Sequence, residues 1–345
     1  MRKILITGIG GDIACAIIRC ILDEFKNDEI YGIDIKEYTP YMDQIKQAIV
    51  APRYTEDNYV PFLKKLILEN GITHFLPTSE TEIIIAAENR SFFKENGIKL
   101  LINNDIIIKT CTSKYQTAVF LKDAGIDVPL TYLADEYKGE LSYPFIVKAD
   151  SGSGGKKLKI IQDQEQWNKV VKENMVCQQL IGDVDNEYTV GIFSDGIQVR
   201  TIVLKRYLGP GGMSVEVHCC ENPDIQAIAE KIAIAYNLHG CINVQLRKHE
   251  SRYYVFEINP RLSSTTGFRH KMGFQDVIWW FMLMDGEDIP YYQNDAAGMI
   301  GVKLMDDVII DRKQGGGTEL SCFRLYNKFF NSYGIDQCGK NRRVA

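Results

Sequence analysis

Residues 1–110 alternate short apolar runs with longer amphipathic ones, and this alternation constrains the fold more than any other feature. KILITG (3–8), EIYGIDI (29–35), THFLPT (73–78) and KLLI (99–102) read as strands. Segments 13–25, 59–70 and 83–96 repeat apolar residues at helical spacing. Strands separated by helices pair in parallel through right-handed crossovers, so this part predicts a helix-flanked parallel sheet. At 345 residues, 45% hydrophobic and 25% charged, the chain has material for two or three such units.

The pattern changes after residue 103. IIIKTCTSKYQTAVFLKDAGIDVP predicts two helical pieces ended by Gly125 and Pro129, with Lys114 opening the second. PFIVKADSGSGGKKLKII (144–161) predicts a strand carrying Lys148 near its end, a flexible loop and a second strand. A lysine inside an apolar strand demands a partner. The loop, Ser151, Gly152, Ser153, Gly154, Gly155 and Lys156, can turn backbone N–H groups toward phosphate oxygens. It joins two strands and lacks Walker A spacing, and taken alone it also fits a plain hairpin. A helix over 164–174, an apolar edge over 178–181, a strand opening at Glu187 and another over 199–208 follow. Helices are expected over 224–236 and 277–284, the latter apolar on all sides. Beyond about residue 311 the periodicity fades.

The stretch NVQLRKHESRYYVFEINPR (243–261) carries the sharpest chemistry. Glu257 and Asn259 interrupt an apolar strand at a spacing of two, which puts both on one face. A carboxylate beside an amide oxygen suits Mg²⁺, with room left for nucleotide phosphates. A turn near 249–252 would bring Gln245 level with Glu257. Pro260 ends the strand, and Arg261 adds a planar cation suited to phosphate or carboxylate. Hydroxyls at 263–266 and the cations Arg269 and Lys271 follow, so Arg269 is a candidate for a substrate carboxylate. The plain alternatives are an edge strand with a wet face, and surface cations behind it.

The turn GIGGDIA (8–14) also fits part of a dinucleotide fingerprint: Gly8 and Gly10 match, Ile13 stands where a third glycine belongs, and Asp34 ends the second strand. Any tight strand-to-helix turn favours glycine, and no hydride-transfer constellation follows. Glu80 and Glu82 in PTSETE lie at the carboxyl edge of the sheet, either facing a ligand or opening a helix. A net charge of −5 without a basic face argues against nucleic acid. No apolar run approaches the roughly 20 residues that cross a bilayer. Nine cysteines without a C-x-x-C pair, and five scattered histidines, point to reduced thiols in a cytoplasm.

Lys114, Lys148 ahead of a Gly-rich loop, Glu187 in EYTV, Gln245 and FEINPR (256–261) occur in this order. The set resembles the ATP-grasp superfamily, particularly proteins like the large subunit of carbamoyl-phosphate synthetase and the carboxylate–amine ligases akin to it. GIGGDIA looks like the preATP-grasp domain of that group, which would not bind a dinucleotide. The resemblance covers about residues 1–300 and implies an α/β fold. A parallel-sheet preATP-grasp domain (1–112) would precede a two-subdomain ATP-grasp fold with mixed and antiparallel sheets, a small lid (113–190) and a catalytic part (191–311). Residues 312–345 would form a tail.

The resemblance further implies that Lys114 and Lys148 hold nucleotide phosphates under the lid Ser151, Gly152, Ser153, Gly154 and Gly155. Gln178, Gln179, Leu180 and Ile181 match the adenine-recognising linker, with Gln178 or Gln179 standing where an acid is often found. Glu187 matches a ribose-binding glutamate. Gln245, Glu257 and Asn259 match the metal set, and Arg261 a phosphate- or acyl-phosphate-binding arginine. ATP with Mg²⁺ (or Mn²⁺) would activate a small-molecule carboxylate as an acyl phosphate for attack by an amine, in a cytoplasmic enzyme for which a homodimer is one allowed assembly. Carboxyphosphate chemistry on bicarbonate and a non-catalytic ATP-binding protein are the rival readings; the single ATP-grasp copy sets the chain apart from a full synthetase.

Overall fold

A computed structural model describes residues 1–152, 158–209 and 212–304. The expected alternation forms a five-stranded parallel sheet with order β3-β2-β1-β4-β5: β1 (Lys3–Thr7), β2 (Glu29–Asp34), β3 (Gln47–Val50), β4 (His74–Leu76) and β5 (Lys99–Leu100). Helices α1 (Asp12–Glu24), α2 (Tyr59–Asn70), α3 (Glu80–Glu88) and α4 (Arg90–Glu95) connect them. The single helix expected over 83–96 is two, because Asn89 leaves helical geometry and turns its side-chain amide back onto the Ile85 carbonyl at 2.8 Å. Strands β1 and β4 are central, so the turns after them open onto the same crevice at the carboxyl edge.

Helices α5 (Asp105–Cys111) and α6 (Lys114–Asp123) lead to a four-stranded antiparallel sheet, order β6-β9-β7-β8, made of β6 (Thr131–Leu133), β7 (Phe145–Ala149), β8 (Lys159–Ile161) and β9 (Met175–Gln179). The apolar edge expected over 178–181 is the end of β9, an inner strand paired on both sides. Between β8 and β9 the expected long helix shrinks to α7 (Gln164–Asn168). Two β-branched valines follow, and Asn174 sits at φ 56°, outside helical geometry. Phe145, Val147, Trp167 and Cys177 form this sheet's core.

The third sheet has order β14-β13-β10-β11-β12-β15, with β10 (Glu187–Asp195), β11 (Val199–Leu208), β12 (Ser214–Cys220), β13 (His239–His249), β14 (Arg252–Asn259) and β15 (Ile300–Val302). One face packs on α5, α6 and α8 (Pro223–Ala235) through residues such as Leu121, Ile232 and Val244. Its other face shares a core with the parallel sheet: Phe193 and Leu204 meet Ile6 and Ile17 of β1 and α1, together with Trp279 and Phe281 of α10 (Asp276–Asp285). The short α9 (Thr266–Lys271) lies against α1 in the same layer. No helix among the described residues is long and apolar enough to cross a membrane.

Candidate active site

A cleft of about 670 Å³ opens between the four-stranded sheet and the β13–β14 hairpin. The period of two in β7 sends Phe145 and Val147 into the core and leaves Ile146 and Lys148 on the cleft face. Lys148 is 8% exposed. Burial pulls its pKa down to about 8, with Glu257 opposing that shift. Lys114 opens α6, whose first turn is tied to the end of β7. Asp150 Oδ1 accepts from Tyr115 N at 2.8 Å, and Lys114 Nζ donates to the Gly152 carbonyl at 2.9 Å. Ser151 and Gly152 line the same wall, while Ser153, Gly154, Gly155 and Lys156 lie outside the described residues. Gln178, Gln179 and Ile181 line the far end, with Leu180 between them off the lining. Gln178 Nε2 donates to Thr131 Oγ1 at 2.9 Å, and the Gln179 N–H is taken by the Leu130 carbonyl at 2.8 Å.

The β13–β14 hairpin closes through the pair His249 and Arg252, which puts Gln245 opposite Glu257 and Asn243 opposite Asn259. Phe256 is skipped in the ladder. This bulge lets Phe256 and Glu257, though consecutive, both line the cleft. The Phe256 ring has Lys148 Nζ and Arg247 Cζ each 5.6 Å from its centroid.

Glu257 also lines a second cleft of about 340 Å³, shared with Gln245, Asn259, Arg261, Arg206 and Asn243. The opposite wall comes from the parallel sheet: Gly11, Asp12, Ile13 and Ala14 at the start of α1, and Thr78 after β4. Arg261 Nη2 donates to Glu80 Oε1 at 3.3 Å, so Glu80 reaches this cleft through the arginine. Burial raises the Glu80 pKa, opposed by Arg261 and reinforced by Glu257. Glu82 has a structural place instead: its buried carboxylate accepts from Thr7, Tyr59 and Ser79 hydroxyls at 2.8, 2.7 and 2.6 Å. Asp34 is turned into the glycine loop, accepting from Gly10 N at 2.8 Å.

Three donor groups could hold Mg²⁺ beside the phosphate lysines: the Glu257 carboxylate and the amides of Gln245 and Asn259. Asn259 Nδ2 donates to Glu257 Oε1 at 3.2 Å, and Gln245 Oε1 accepts from Arg206 at 2.8 Å. The set fits a hard cation that keeps open positions for phosphates: one carboxylate and two amides supply oxygen ligands and little charge.

Two expected contacts are placed elsewhere. Glu187 lines neither cleft. It is 2% exposed and closed by two guanidinium groups, Arg206 Nε at 2.7 Å and Arg247 Nε at 2.8 Å. Arg269 lies beneath the second cleft, 1% exposed, with Asp276 Oδ2 2.7 Å from Nη2. Its route is cleared by Gly191, where a Cβ would stand 2.6 Å from Arg269 Cδ and Nη1. Burial raises the Asp276 pKa to about 6 against the pull of Arg269. Sequence reasoning passed over Asn243 and Arg247. They flank Gln245 at spacings of two on β13, the same signal that paired Glu257 with Asn259.

Two family models match successive parts of this arrangement, each over less than half of the chain. Residues 111–265 match the ATP-grasp domain family ATP-grasp_3, and residues 4–101 match the PylC-like N-terminal domain family. Among curated relatives, the carbamoyl phosphate synthase large chain, C-terminal section, of Aquifex aeolicus is 27% identical over 201 residues, 52% of this chain and 37% of that protein. The large chain of Campylobacter jejuni is 24% identical over 199 residues, 51% of this chain and 18% of that protein. The chain thus spans well under half of either relative. The biotin carboxylase domain of Hydrogenobacter thermophilus 2-oxoglutarate carboxylase superposes with a TM-score of 0.69 at 19% identity, over 86% of this chain and 73% of that one. The L-amino acid ligase of Bacillus licheniformis gives 0.65 at 16%, over 82% and 74%. These likenesses establish the fold.

Proposed function

We propose that the chain is an ADP-forming ligase that activates a small carboxylate with ATP and passes the acyl group to an amine. One observation carries this reading: Glu257 lines both clefts, so a phosphoryl group leaving the first would arrive in the second. Lys114 and Lys148 would hold the nucleotide phosphates, and Gln178, Gln179, Leu180 and Ile181 the adenine. Gln245, Glu257 and Asn259 would hold Mg²⁺, which when bound neutralises charge on the phosphates. A carboxylate oxygen attacks the γ-phosphorus, the bond to the β-phosphate oxygen breaks, and ADP leaves. The amine nitrogen then attacks the acyl carbon, phosphate departs, and the amine's proton passes to phosphate or water. Arg261 faces the transferring group in this scheme, and positioning with electrostatics suffices without a nucleophilic side chain.

The test is ATP-dependent phosphate release across paired panels of small carboxylates and amines, with bicarbonate as a separate arm. Release that needs both an acid and an amine supports the reading. Release with bicarbonate and an amine alone favours carboxyphosphate chemistry, and no release with any pair, despite MgATP binding, refutes catalysis.

A further inference from the structure

The floor of the second cleft holds a donor that nucleotide binding leaves unused. Asn243 Oδ1 accepts from Thr189 Oγ1 at 3.0 Å, Ser263 Oγ at 2.9 Å and Arg269 Nη1 at 3.1 Å. A guanidinium can only donate, so the atom facing Arg269 must be the amide oxygen. The amide is thereby locked, and Nδ2 is left buried without a partner among the described residues, in a residue 1% exposed that lines the cleft. A buried donor left unpaired is costly unless a ligand satisfies it.

Two further groups of N–H donors face the same space. Arg261 Nε is buried without a partner among the described residues. Across from it, the first turn of the 13-residue α1 lines the cleft behind Gly11, which brings no side chain to cap it. The cleft's carboxylates are Asp12, which meets Lys303 through Oδ1 while its Oδ2 is buried without a partner among the described residues, and Glu257 at the metal site. The remaining walls include the short hydroxyl side chains of Thr78, Ser264 and Thr265.

We propose that the second cleft binds the carboxylate of a small polar acid, and that Asn243 Nδ2 is the donor that selects it. The proposal rests on the ligase reading, since it names where the acid substrate of that reaction sits. Arg269 is a positioning residue: it touches no ligand, and with Thr266 Oγ1 at 3.0 Å and Asp276 behind it, it holds the Asn243 amide in one orientation. A cleft of about 340 Å³ takes an acid of the size of an α-amino or hydroxy acid.

The experiment is saturation-transfer NMR with acetate, glycine and methylammonium, run on the full chain with and without MgADP. Acetate or glycine is expected to bind, and methylammonium, which brings no carboxylate to the donor, to fail. Asn243→Asp keeps the three acceptor contacts but turns the donor into an oxygen, and should weaken acetate binding about tenfold or more. In ¹⁵N spectra the Asn243 side-chain amide should shift on adding acetate, and Arg269→Lys, measured below its own melting temperature, should erase that shift. Absence of acetate and glycine binding in both states, or binding that Asn243→Asp leaves intact, overturns the proposal. Asn243-dependent acetate binding in a chain that does not bind MgADP would uphold this site and refute the ATP-dependent reading.

Discussion

Arg206 Nε donates to Glu187 Oε1 at 2.7 Å while Arg247 Nε donates to Oε2 at 2.8 Å, so one buried carboxylate holds an arginine from each cleft. Glutamine at this position would leave two guanidinium groups facing a neutral amide in a site nearly closed to water. Removing one partner of a buried ion pair typically costs about 3–5 kcal/mol. Glu187→Gln is therefore expected to lower the free energy of urea unfolding by about 3 kcal/mol without any nucleotide present. Unchanged stability combined with weaker ATP binding would instead return Glu187 to the ribose.

Glu257 is only partly buried, and its hydrogen-bond partner is Asn259. Glu257→Gln preserves shape and removes the one formal charge of the metal set. Phosphate release is expected to fall by more than about 10²-fold, with the melting temperature unmoved. Near-normal turnover with a verified substrate pair would exclude Glu257 from the metal.

Lys148 should make nucleotide binding depend on pH. Its pKa of about 8 in the free protein means that the ammonium, the form a phosphate needs, is fully present below that pH and lost above it. Affinity for ATP should be flat near pH 7 and fall as pH rises through 8. Calorimetry in buffers of different ionisation enthalpy should then show proton uptake on binding. Because Glu257, ahead of Glu187, raises this pKa, Glu257→Gln should move the fall to lower pH. A profile unchanged in both proteins would make Lys148 a structural lysine.

Local period and turn chemistry made the hairpin legible. Period two put Glu257 and Asn259 on one face, the 249–252 turn set Gln245 across from Glu257, and an apolar strand interrupted by Lys148 announced a cleft wall. Contacts between distant segments were not legible. Glu187 reads as an isolated acid until β11 and β13 bring Arg206 and Arg247 beside it, 19 and 60 residues away in sequence. Arg269 looked available because nothing local signals that Gly191 opens a passage for it under β10. The strands that escaped notice were short, such as Thr131–Leu133, or polar on the open face, as in Ser214–Cys220 where Glu216 and His218 break the apolar run.

Asp285 at the end of α10 ties that helix to the parallel sheet. Its carboxylate meets Arg2 Nε at 2.5 Å, His74 Nε2 at 3.1 Å and the Lys99 ammonium. Burial alone would raise the Asp285 pKa, but the hydrogen bonds from Lys99 and Arg2 and the nearby positive charges outweigh it and hold the pKa at about 2. A carboxylate whose folded pKa lies below its unfolded value stabilises the fold above the unfolded pKa, and that stability is lost as pH falls through the folded one. From an ordinary value of 3.8 down to about 2, the shift corresponds to about 2 kcal/mol. Asp285→Asn should therefore cost about 2 kcal/mol in urea unfolding at pH 7, with the gap to the unmodified chain narrowing from pH 4 toward pH 2. His74, whose own pKa is lowered by burial, adds a separate loss of stability as pH falls below its ordinary value, because the unfolded chain takes up a proton there that the folded imidazole resists. A gap that persists unchanged at pH 3 would assign the loss to packing around Asp285 and not to its charge.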